Sequence, residues 1–340
     1  MSMKKIKVAI NGFGRIGRTF FRQAYGHSEI EIVAINDLSV LDTLAYLLRY
    51  DTVYGRYKKS IETRGDFLIV DGVEILHTAE KDPAKLPWKK LEVDVVVEAT
   101  GFFTTADGAR GHISAGAKRV VITAPAKGDV MTILVGTNDD RFEKADGISA
   151  NASCTTNAVA PVLAILQEAC GVEKVLMTTV HGYTATQKLV DGADDKDLRR
   201  GRAAAMNIVP STTGAAEAVI QSLPDMRGVF DAVSIRVPTI TGSLTDITAL
   251  LKKDTSVEEI NSIFEKAASE PRWIGVLKTT RDQIVSSDIV GEPYGAIVDV
   301  SLTRVVGGNL VKVFAWYDNE WGYSATLVEH VLRVGRGITR

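Results

Sequence analysis

The segment from Lys5 to Tyr25 constrains the fold of this chain more than any other part of the sequence. Lys5–Ile10 has the pattern of a short strand, and it is followed by Gly12-Phe13-Gly14-Arg15-Ile16-Gly17 and a helical run. In such a strand–turn–helix unit the first glycine permits a tight turn and the second lets the backbone approach a pyrophosphate. The third lets the helix pack closely on the strand. The pattern therefore predicts a dinucleotide-binding turn.

A second strand and an acidic residue support this interpretation. Glu31–Ile35 is followed by Asn36 and Asp37, and Asp37 lies 20 residues beyond Gly17. At that distance an acid accepts hydrogen bonds from an adenosine ribose. The apolar runs Val93–Val97 and Val120–Ile122 suit strands that are buried on both faces of a parallel sheet. The first half of the chain is thus predicted to form a Rossmann-type, doubly wound α/β domain that binds a dinucleotide.

The composition is that of an ordinary globular protein. The 340 residues suffice for two domains, and 45% are hydrophobic and 24% charged. A net charge of −2 gives no general attraction to nucleic acid or to anionic membranes, and no apolar run approaches the roughly 20 residues that span a bilayer. We therefore expect neither nucleic acid nor a membrane as a partner. The two cysteines fit a reducing compartment, which predicts a cytoplasmic location.

Cys154 is the candidate nucleophile. It lies in Asn151-Ala152-Ser153-Cys154-Thr155-Thr156-Asn157, between a strand-like segment and a long apolar helix. Hydroxyl and amide residues satisfy the free N–H groups of a helix N-terminus, and the helix dipole there is expected to lower the pKa of the thiol. Cys170 shares a helical stripe with apolar residues and is predicted to be core. The alternative for Cys154 is a buried structural cysteine.

His181 is the candidate base. The predicted strand Lys174–Val180 delivers it to a junction before Gly182, and it is 27 residues from Cys154 in sequence. A histidine satisfied within the core is the alternative. The cysteine predicted at the helix N-terminus favours a Cys–His pair, in which the histidine activates the thiol.

Two possible anion sites follow in the sequence. The irregular segment from Tyr183 to Asn207 contains Arg199-Arg200-Gly201-Arg202, and Ser211-Thr212-Thr213-Gly214 opens a predicted helix to Leu223. Such a long irregular segment is usually functional, and hydroxyls at a helix N-terminus can hold an anion. Arg236 is a lone positive charge in the predicted strand Ala232–Val237. It either serves a site or faces solvent.

The remaining sequence alternates as in an antiparallel sheet. Strands are predicted at Thr245–Lys252, Ala296–Val305 and Leu310–Trp316, with helices at Ser256–Glu270 and Ser324–Arg333. The prediction is an α+β catalytic domain with a mainly antiparallel sheet. The expected domains are residues 1–153, residues 154–319, and a C-terminal helix in residues 320–340 that returns to the first domain.

Over nearly its whole length the chain resembles phosphorylating glyceraldehyde-3-phosphate dehydrogenases. Five segments carry the resemblance: Asn11–Arg18, Asn151–Asn157, His181–Gln187, Ser211–Ala216 and Trp316–Ser324. It implies oxidation of D-glyceraldehyde 3-phosphate by NAD and transfer of the acyl group to inorganic phosphate, which yields 1,3-bisphosphoglycerate. It also implies a homotetramer and no metal.

The resemblance further implies roles for individual residues. Cys154 attacks the aldehyde and forms a thioester, and His181 relays the proton. The residues implied in NAD binding are Gly12, Gly14, Arg15, Ile16, Asp37, Lys81, Thr123 and Asn319. Those implied in phosphate binding are Thr184 and Arg236 for the substrate phosphate, and Ser153, Thr155, Arg199, Thr213 and Gly214 for the attacking phosphate.

The chain departs from the family pattern at two positions. Glu217 replaces a usual lysine and competes with phosphate for the positive end of a helix, and Ala158 replaces a frequent second cysteine. A related enzyme, erythrose-4-phosphate dehydrogenase, is the second candidate, although it is expected to lack the Thr-Thr-Gly segment and a hydroxyl like that of Thr184. A non-catalytic NAD-responsive binding protein is the third candidate. The presence of both Cys154 and His181 argues against this function.

Overall fold

The computed structural model describes residues 4–145, 147–195 and 197–338. The chain divides into two units, Met1–Ala152 with Leu327–Arg340, and Ser153–Thr326. The boundaries predicted from the sequence lie at residues 153/154 and 319/320. Residues 1–3, 339 and 340 of the predicted terminal segments lie outside the described part.

The first unit is an α/β unit. Its strands and α-helices among the described residues are β1 (Ile6–Asn11), α1 (Arg15–Ala24), β2 (Ile30–Asn36), α2 (Leu41–Arg49), β3 (Ile61–Arg64), β4 (Phe67–Val70), β5 (Val73–Thr78), α3 (Trp88–Leu91), β6 (Val95–Glu98), α4 (Ala106–Ser114), β7 (Arg119–Ile122), β8 (Met131–Thr132) and β9 (Ile148–Ala150).

These strands form one sheet in the order β3-β4-β5-β2-β1-β6-β7-β9-β8. Neighbours from β5 to β8 are parallel, and the β3–β4 and β4–β5 pairs are antiparallel. The valines of β6 are fully buried, as expected for a central parallel strand covered on both faces. The predicted Rossmann-type sheet is confirmed.

Two glycines fix the turn between β1 and α1. Gly12 has a φ of 92°, and a Cβ there would lie 2.7 Å from the carbonyl carbon of Ala99. A Cβ on Gly17 would lie 2.1 Å from the carbonyl oxygen of Gly12. Neither position accepts a side chain, so both glycines are needed for this close approach.

The second unit is an α+β unit. Its strands and α-helices among the described residues are α5 (Cys154–Cys170), β10 (Val172–Gly182), β11 (Val209–Thr212), α6 (Ala215–Ser222), β12 (Phe230–Val237), β13 (Ser243–Leu251), α7 (Val257–Ser269), β14 (Leu277–Thr280), β15 (Ala296–Asp299), β16 (Arg304–Val306) and β17 (Leu310–Tyr317). The final helix, α8 (Trp321–Arg336), contains the boundary with the first unit.

The sheet of the second unit runs β11-β12-β10-β13-β17-β15-β14, and β16 pairs with β17. It is mainly antiparallel, as predicted, but the β10–β12 and β14–β15 pairs are parallel. The parallel β10–β12 pair places His181 opposite Arg236. This register brings two candidate site residues together on neighbouring strands.

Two element predictions in this unit were wrong in detail. The strand predicted at Ala296–Val305 is divided into β15 and β16, because Asp299 accepts hydrogen bonds from the N–H and hydroxyl of Ser301 and turns the chain. Ser211 and Thr212 end β11, and the helix after them begins only at Ala215. Among the described residues, no helix is both long and apolar enough to cross a membrane.

Candidate active site

In the first unit, a cavity of about 540 Å³ lies at the carboxyl ends of β1, β2 and β6. Open parallel sheets bind their ligands at this edge. Four predicted cofactor residues line it, namely Gly12, Gly14, Asp37 and Lys81. The other lining residues are Asn11, Asn36, Leu38, Glu80, Ala99, Thr100, Phe102 and Phe103.

Asp37 presents a carboxylate to this cavity. Its oxygens accept hydrogen bonds from the N–H groups of Phe13 at 2.8 Å and Ser39 at 2.9 Å. Burial opposes ionisation, but these hydrogen bonds outweigh it and lower the pKa of Asp37. The side chain is therefore an anion at neutral pH, and it can accept further hydrogen bonds from ribose hydroxyls.

The start of α1 provides an anion-binding helix end. Gly14 is the N-cap residue and makes no side-chain capping hydrogen bond, and helix N-termini of this kind bind phosphate groups. The guanidinium of Arg15 pairs with Asp51. Thr123, also predicted at this site, follows β7, and its N–H donates to the carbonyl of Glu98.

A buried carboxylate, missed from the sequence, supports this cavity. Glu98 accepts hydrogen bonds from the Asn11 amide at 2.5 Å, from the N–H of Thr100 at 2.9 Å and from His112 Nε2 at 3.0 Å. Trp88 donates to His112 Nδ1, so the proton of the neutral imidazole is on Nε2. These contacts fix Asn11 and Thr100 at the cavity wall.

In the second unit, the predicted catalytic pair is in contact. Cys154 is the first residue of α5, and Ser153 caps the helix by accepting a hydrogen bond from the N–H of Thr156 at 3.1 Å. Cys154 Sγ lies 3.4 Å from His181 Nε2. Cys154 is partly exposed and His181 is buried. The pair is therefore placed for proton transfer.

The other ring nitrogen of His181 has two partners of opposite kind. The carbonyl of Gly182 and Nη1 of Arg236 each lie 2.7 Å from Nδ1. A protonated Nδ1 donates to the carbonyl, and an unprotonated Nδ1 accepts from the guanidinium. Nδ1 is thus satisfied in both states, while Nε2 remains directed to the thiol.

Burial decides the resting charge of this pair. It raises the pKa of the Cys154 thiol, although Arg236 and the hydrogen-bond donors of the first turn of α5 act in the other direction. The net shift of the thiol pKa is therefore opposite to the predicted lowering, although the helix end itself acts in the predicted direction. Burial and then the charge of Arg236 lower the pKa of His181 to about 3. At neutral pH the pair is a thiol beside a neutral imidazole that can accept its proton.

Tyr317 packs against the ring of His181, and sequence analysis did not single it out beyond its place in a family segment. Its hydroxyl lies 2.9 Å from Thr155 Oγ1 and 2.7 Å from Thr179 Oγ1. Thr155, predicted as a phosphate ligand, therefore directs its hydroxyl to Tyr317. The hydroxyl of Ser153, another predicted ligand, is likewise engaged by Thr156.

The anion cradle of the second unit forms between β11 and α6. Gly214 is the N-cap of α6 without a capping side chain, and Thr213 Oγ1 accepts the N–H of Ala215 at 3.2 Å. Arg200 Nε donates to Ser211 Oγ at 3.0 Å, and the charge of Arg200 acts on that of Arg236. The cradle thus combines the N-terminus of α6 with the guanidinium of Arg200, which also pairs with Asp197 at 3.3 Å.

The arginine next to the predicted Arg199 contacts β11, because the guanidinium of Arg200 donates to Ser211 Oγ and to the carbonyl of Thr212. Arg199 is exposed, and its N–H donates to Asp197 at 3.0 Å. Neighbouring arginines cannot be distinguished by a sequence pattern in an irregular segment. Their assignment requires the contacts with β11.

Three further residues singled out in the sequence lie in the second unit. The Thr184 hydroxyl lies 2.9 Å from that of Thr186. Asn319 Oδ1 accepts hydrogen bonds from Ser243 Oγ at 2.9 Å and from the N–H of Gly242 at 3.1 Å, which leaves its amide N–H₂ as the group to offer a ligand. Glu217 is exposed in the first turn of α6.

Comparison with known proteins gives matches over nearly the whole chain. Residues 6–106 match the family described as glyceraldehyde 3-phosphate dehydrogenase, NAD binding domain, and residues 153–319 match its C-terminal domain. The chain is 49% identical over 340 residues to glyceraldehyde-3-phosphate dehydrogenase of Mycobacterium avium, covering 98% of this chain and 99% of the relative. It is 49% identical over 332 residues to the Streptomyces coelicolor protein of that name, covering 97% and 98%.

Proposed function

The chain belongs to the glyceraldehyde 3-phosphate dehydrogenase family, and from this premise we propose that it oxidises D-glyceraldehyde 3-phosphate and transfers the acyl group to inorganic phosphate. The product is 1,3-bisphosphoglycerate, and the oxidant is NAD. The observation that carries the proposal is the 3.4 Å contact between Cys154 Sγ and His181 Nε2. It joins a nucleophile to a base in the unit that also contains the anion cradle.

The reaction begins when Sγ of Cys154 attacks the aldehyde carbon and His181 Nε2 takes the thiol proton. The new C–S bond gives a thiohemiacetal, whose oxygen receives that proton. Bound NAD supplies the two-electron acceptor for the oxidation step. His181 takes the hydroxyl proton as the carbonyl reforms, which leaves an acyl thioester on Cys154.

Phosphate then attacks the thioester carbon. A C–O bond forms, the C–S bond breaks, and His181 returns its proton to the departing thiolate. The carbonyl of Gly182 accepts a hydrogen bond from Nδ1–H while Nε2 gains and loses this proton. The imidazole therefore keeps its orientation through both halves of the reaction.

We assign the substrate phosphate to Thr184 and Arg236. The attacking phosphate is assigned to Thr213, Gly214 and Arg200, with the helix end at Ser153 and Thr155. Arg200 replaces Arg199 in this assignment because its guanidinium contacts β11 beside the cradle. In the first unit, NAD is assigned to the residues that line the cavity and to the start of α1. Asn319 is assigned to the carboxamide of NAD.

The test is NADH formation from glyceraldehyde 3-phosphate with and without phosphate. With phosphate we expect continuous turnover, and without it one NADH per active site followed by near arrest, because the thioester needs an anion for release. Cys154→Ala removes both phases, whereas Cys170→Ala, which removes a buried thiol of the same helix, keeps them. Fast turnover without phosphate or arsenate contradicts the proposal and indicates a hydrolytic aldehyde dehydrogenase.

We also propose that the chain acts as a homotetramer in the cytoplasm. Large apolar side chains are strongly exposed between residues 189 and 208, including Leu189 at 81%, Leu198 at 85% and Met206 at 82%. Such a patch fits a subunit interface, and two free thiols fit a reducing compartment. Sedimentation should give four-chain particles, and Leu189→Asp should dissociate them whereas Val306→Asp, at an exposed apolar residue of β16, should not. A wild-type monomer contradicts the proposed assembly.

A further inference from the structure

We propose that the buried hydroxyl of Tyr317 is a positioning group that sets the distance between the Cys154 thiol and the His181 imidazole. The inference rests on the proposed function, since it assigns a role within the same catalytic pair. Tyr317 does not take part in bond making. It acts through the two elements that carry the nucleophile and the base.

The tyrosine hydroxyl bridges these two elements. Thr155, 2.9 Å from the hydroxyl, follows Cys154 in the first turn of α5. Thr179, 2.7 Å away, precedes His181 by two residues in β10, and alternate residues of a strand share one face. A single oxygen therefore contacts the immediate neighbour of the nucleophile and the same-face neighbour of the base.

Tyr317, which forms this bridge, belongs to a third element. Tyr317 ends β17, which is separated from β10 by β13 in the sheet. Its ring meets that of His181 edge-on, with centroids 5.8 Å apart and planes at 75°. The side chain is 1% exposed. Tyr317 thus holds the imidazole through ring packing, and its hydroxyl connects β10 to α5.

The consequence for catalysis follows from the sensitivity of proton transfer to distance. Nothing in the covalent chain fixes Cys154 to His181, because 27 residues separate them. Displacement of a catalytic group by about 1 Å can cost about 100-fold in rate. Loss of the phenolic hydroxyl removes both hydrogen bonds while the ring can still pack, so it isolates the positioning effect.

Within the described part of the chain, the titratable side chains that face this pair from other strands of the sheet are Arg236 from β12 and Tyr317 from β17. Burial raises the pKa of the Tyr317 phenol, so it stays protonated through the neutral range. A change in the pH profile of the Tyr317→Phe variant would therefore report the Cys154–His181 pair rather than titration of the tyrosine itself.

The experiment compares Tyr317→Phe with a matched control, Thr245→Val. Thr245 is buried in β13 directly opposite Thr179, and its hydroxyl donates to the carbonyl of Ala315 at 3.1 Å. The control loses a buried hydrogen bond of the same sheet without touching the pair. The readouts are the first-turnover NADH rate, KM values for NAD and phosphate, and the rate of Cys154 alkylation by iodoacetamide against pH.

For Tyr317→Phe we expect first turnover and alkylation to slow by about tenfold or more, with both KM values within about twofold of wild type. Alkylation should also become steeper with pH, because the thiol then loses its proton to solvent. Thr179→Val should change the same readouts in the same direction, and it decides the question if Tyr317→Phe does not fold. Rates equal to those of Thr245→Val overturn the inference.

Alkylation uses neither substrate nor NAD. The experiment can therefore contradict the proposed function without contradicting the role of Tyr317, and the reverse. A wild-type protein without NADH formation contradicts the proposed function, whereas the alkylation rates still test Tyr317. A double variant, Tyr317→Phe with Thr179→Val, should be no slower than the slower single variant, because both remove the same bridge. Multiplied effects would mean that the two residues act independently and would overturn the bridge.

Discussion

The guanidinium of Arg236 lies 2.7 Å from Nδ1 of His181, the ring nitrogen that does not face Cys154. Burial and then this cation lower the pKa of His181, and the cation acts against the burial that raises the pKa of the thiol. The base is thereby kept neutral at neutral pH, with its Nε2 3.4 Å from Cys154 Sγ.

Cys154 should react with iodoacetamide far faster than Cys170, and nearly independently of pH between about pH 6 and pH 8. Proton transfer within the thiol–imidazole pair exchanges no proton with solvent, so its extent does not vary with pH in that range. His181→Asn should slow the reaction and make it rise with pH, because the thiol pKa is raised by burial. Mass spectrometry of the two labelled cysteines measures this, and equal labelling of both contradicts the nucleophile assignment.

Arg200→Ala should raise the KM for phosphate by about tenfold or more, since a buried or partly buried cation–anion contact is lost. Arg199→Ala is the matched control, being the same substitution one residue earlier at an exposed side chain, and should change this KM by less than about twofold. Steady-state rates at varied phosphate give both values. The reverse order would restore the sequence-based assignment of Arg199.

Glu217→Lys should lower the KM for phosphate by about threefold, because it replaces an acid with a base in the first turn of α6. Glu258→Lys makes the same charge change in the first turn of α7 and should leave phosphate affinity unchanged. The effect should weaken at high salt. An unchanged KM in Glu217→Lys would mean that this side chain is too well solvated to oppose the anion.

The protein should prefer NAD to NADP by about tenfold or more, because a 2′-phosphate beside the Asp37 carboxylate meets like charge. Asp37→Ala should narrow the ratio of the two specificity constants. Asp42→Ala, which removes an acid of α2 bonded to Thr63, is the control and should not. Equal specificity constants in the wild-type protein would exclude this role of Asp37.

Stability should fall between about pH 6.5 and pH 3 through buried histidines. Burial lowers the pKa of His330 to about 3, from the 6.5 that is usual for a histidine. Protons therefore bind preferentially to the unfolded chain, so stability is fully present above pH 6.5 and is lost as the pH falls towards 3. The loss is about 2 kcal/mol for this residue at pH 5.

Urea unfolding at about pH 7.5 and about pH 5 measures this dependence. His330 Nε2 lies 2.9 Å from the hydroxyl of Ser149, so His330→Asn should lower stability at both values. It should nevertheless reduce the difference between them by about 2 kcal/mol. An unchanged difference would show that His330 does not contribute to the pH dependence.

The sequence was sufficient for the parts of the protein that local patterns encode. The turn at Gly12 and Gly17, the helix beginning at Cys154 and the two-domain α/β and α+β classes are all local consequences of spacing and periodicity. The contact of Cys154 with His181 followed from chemistry rather than from pattern, because a presented thiol makes a base necessary.

Long-range contacts were beyond such reasoning. The bridge from Tyr317 to Thr155 spans 162 residues, and the proposal of Arg200 in place of Arg199 rests on the contact of its guanidinium with Ser211. The sign of the thiol pKa shift was also missed, because burial by distant strands exceeds the local influence of the helix end. Each of these depends on the tertiary arrangement of the second unit.

The parallel pairing of β10 with β12 has a consequence for folding. It aligns His181 with Arg236 across 55 residues of chain, and a slip of one residue would turn Arg236 to the opposite face of the sheet. Closing so long a loop is slow compared with forming α5, and it yields a working base only in one register. Recovery of thiol reactivity during refolding should therefore lag behind recovery of helical content, and it would serve as a kinetic reporter of correct strand alignment.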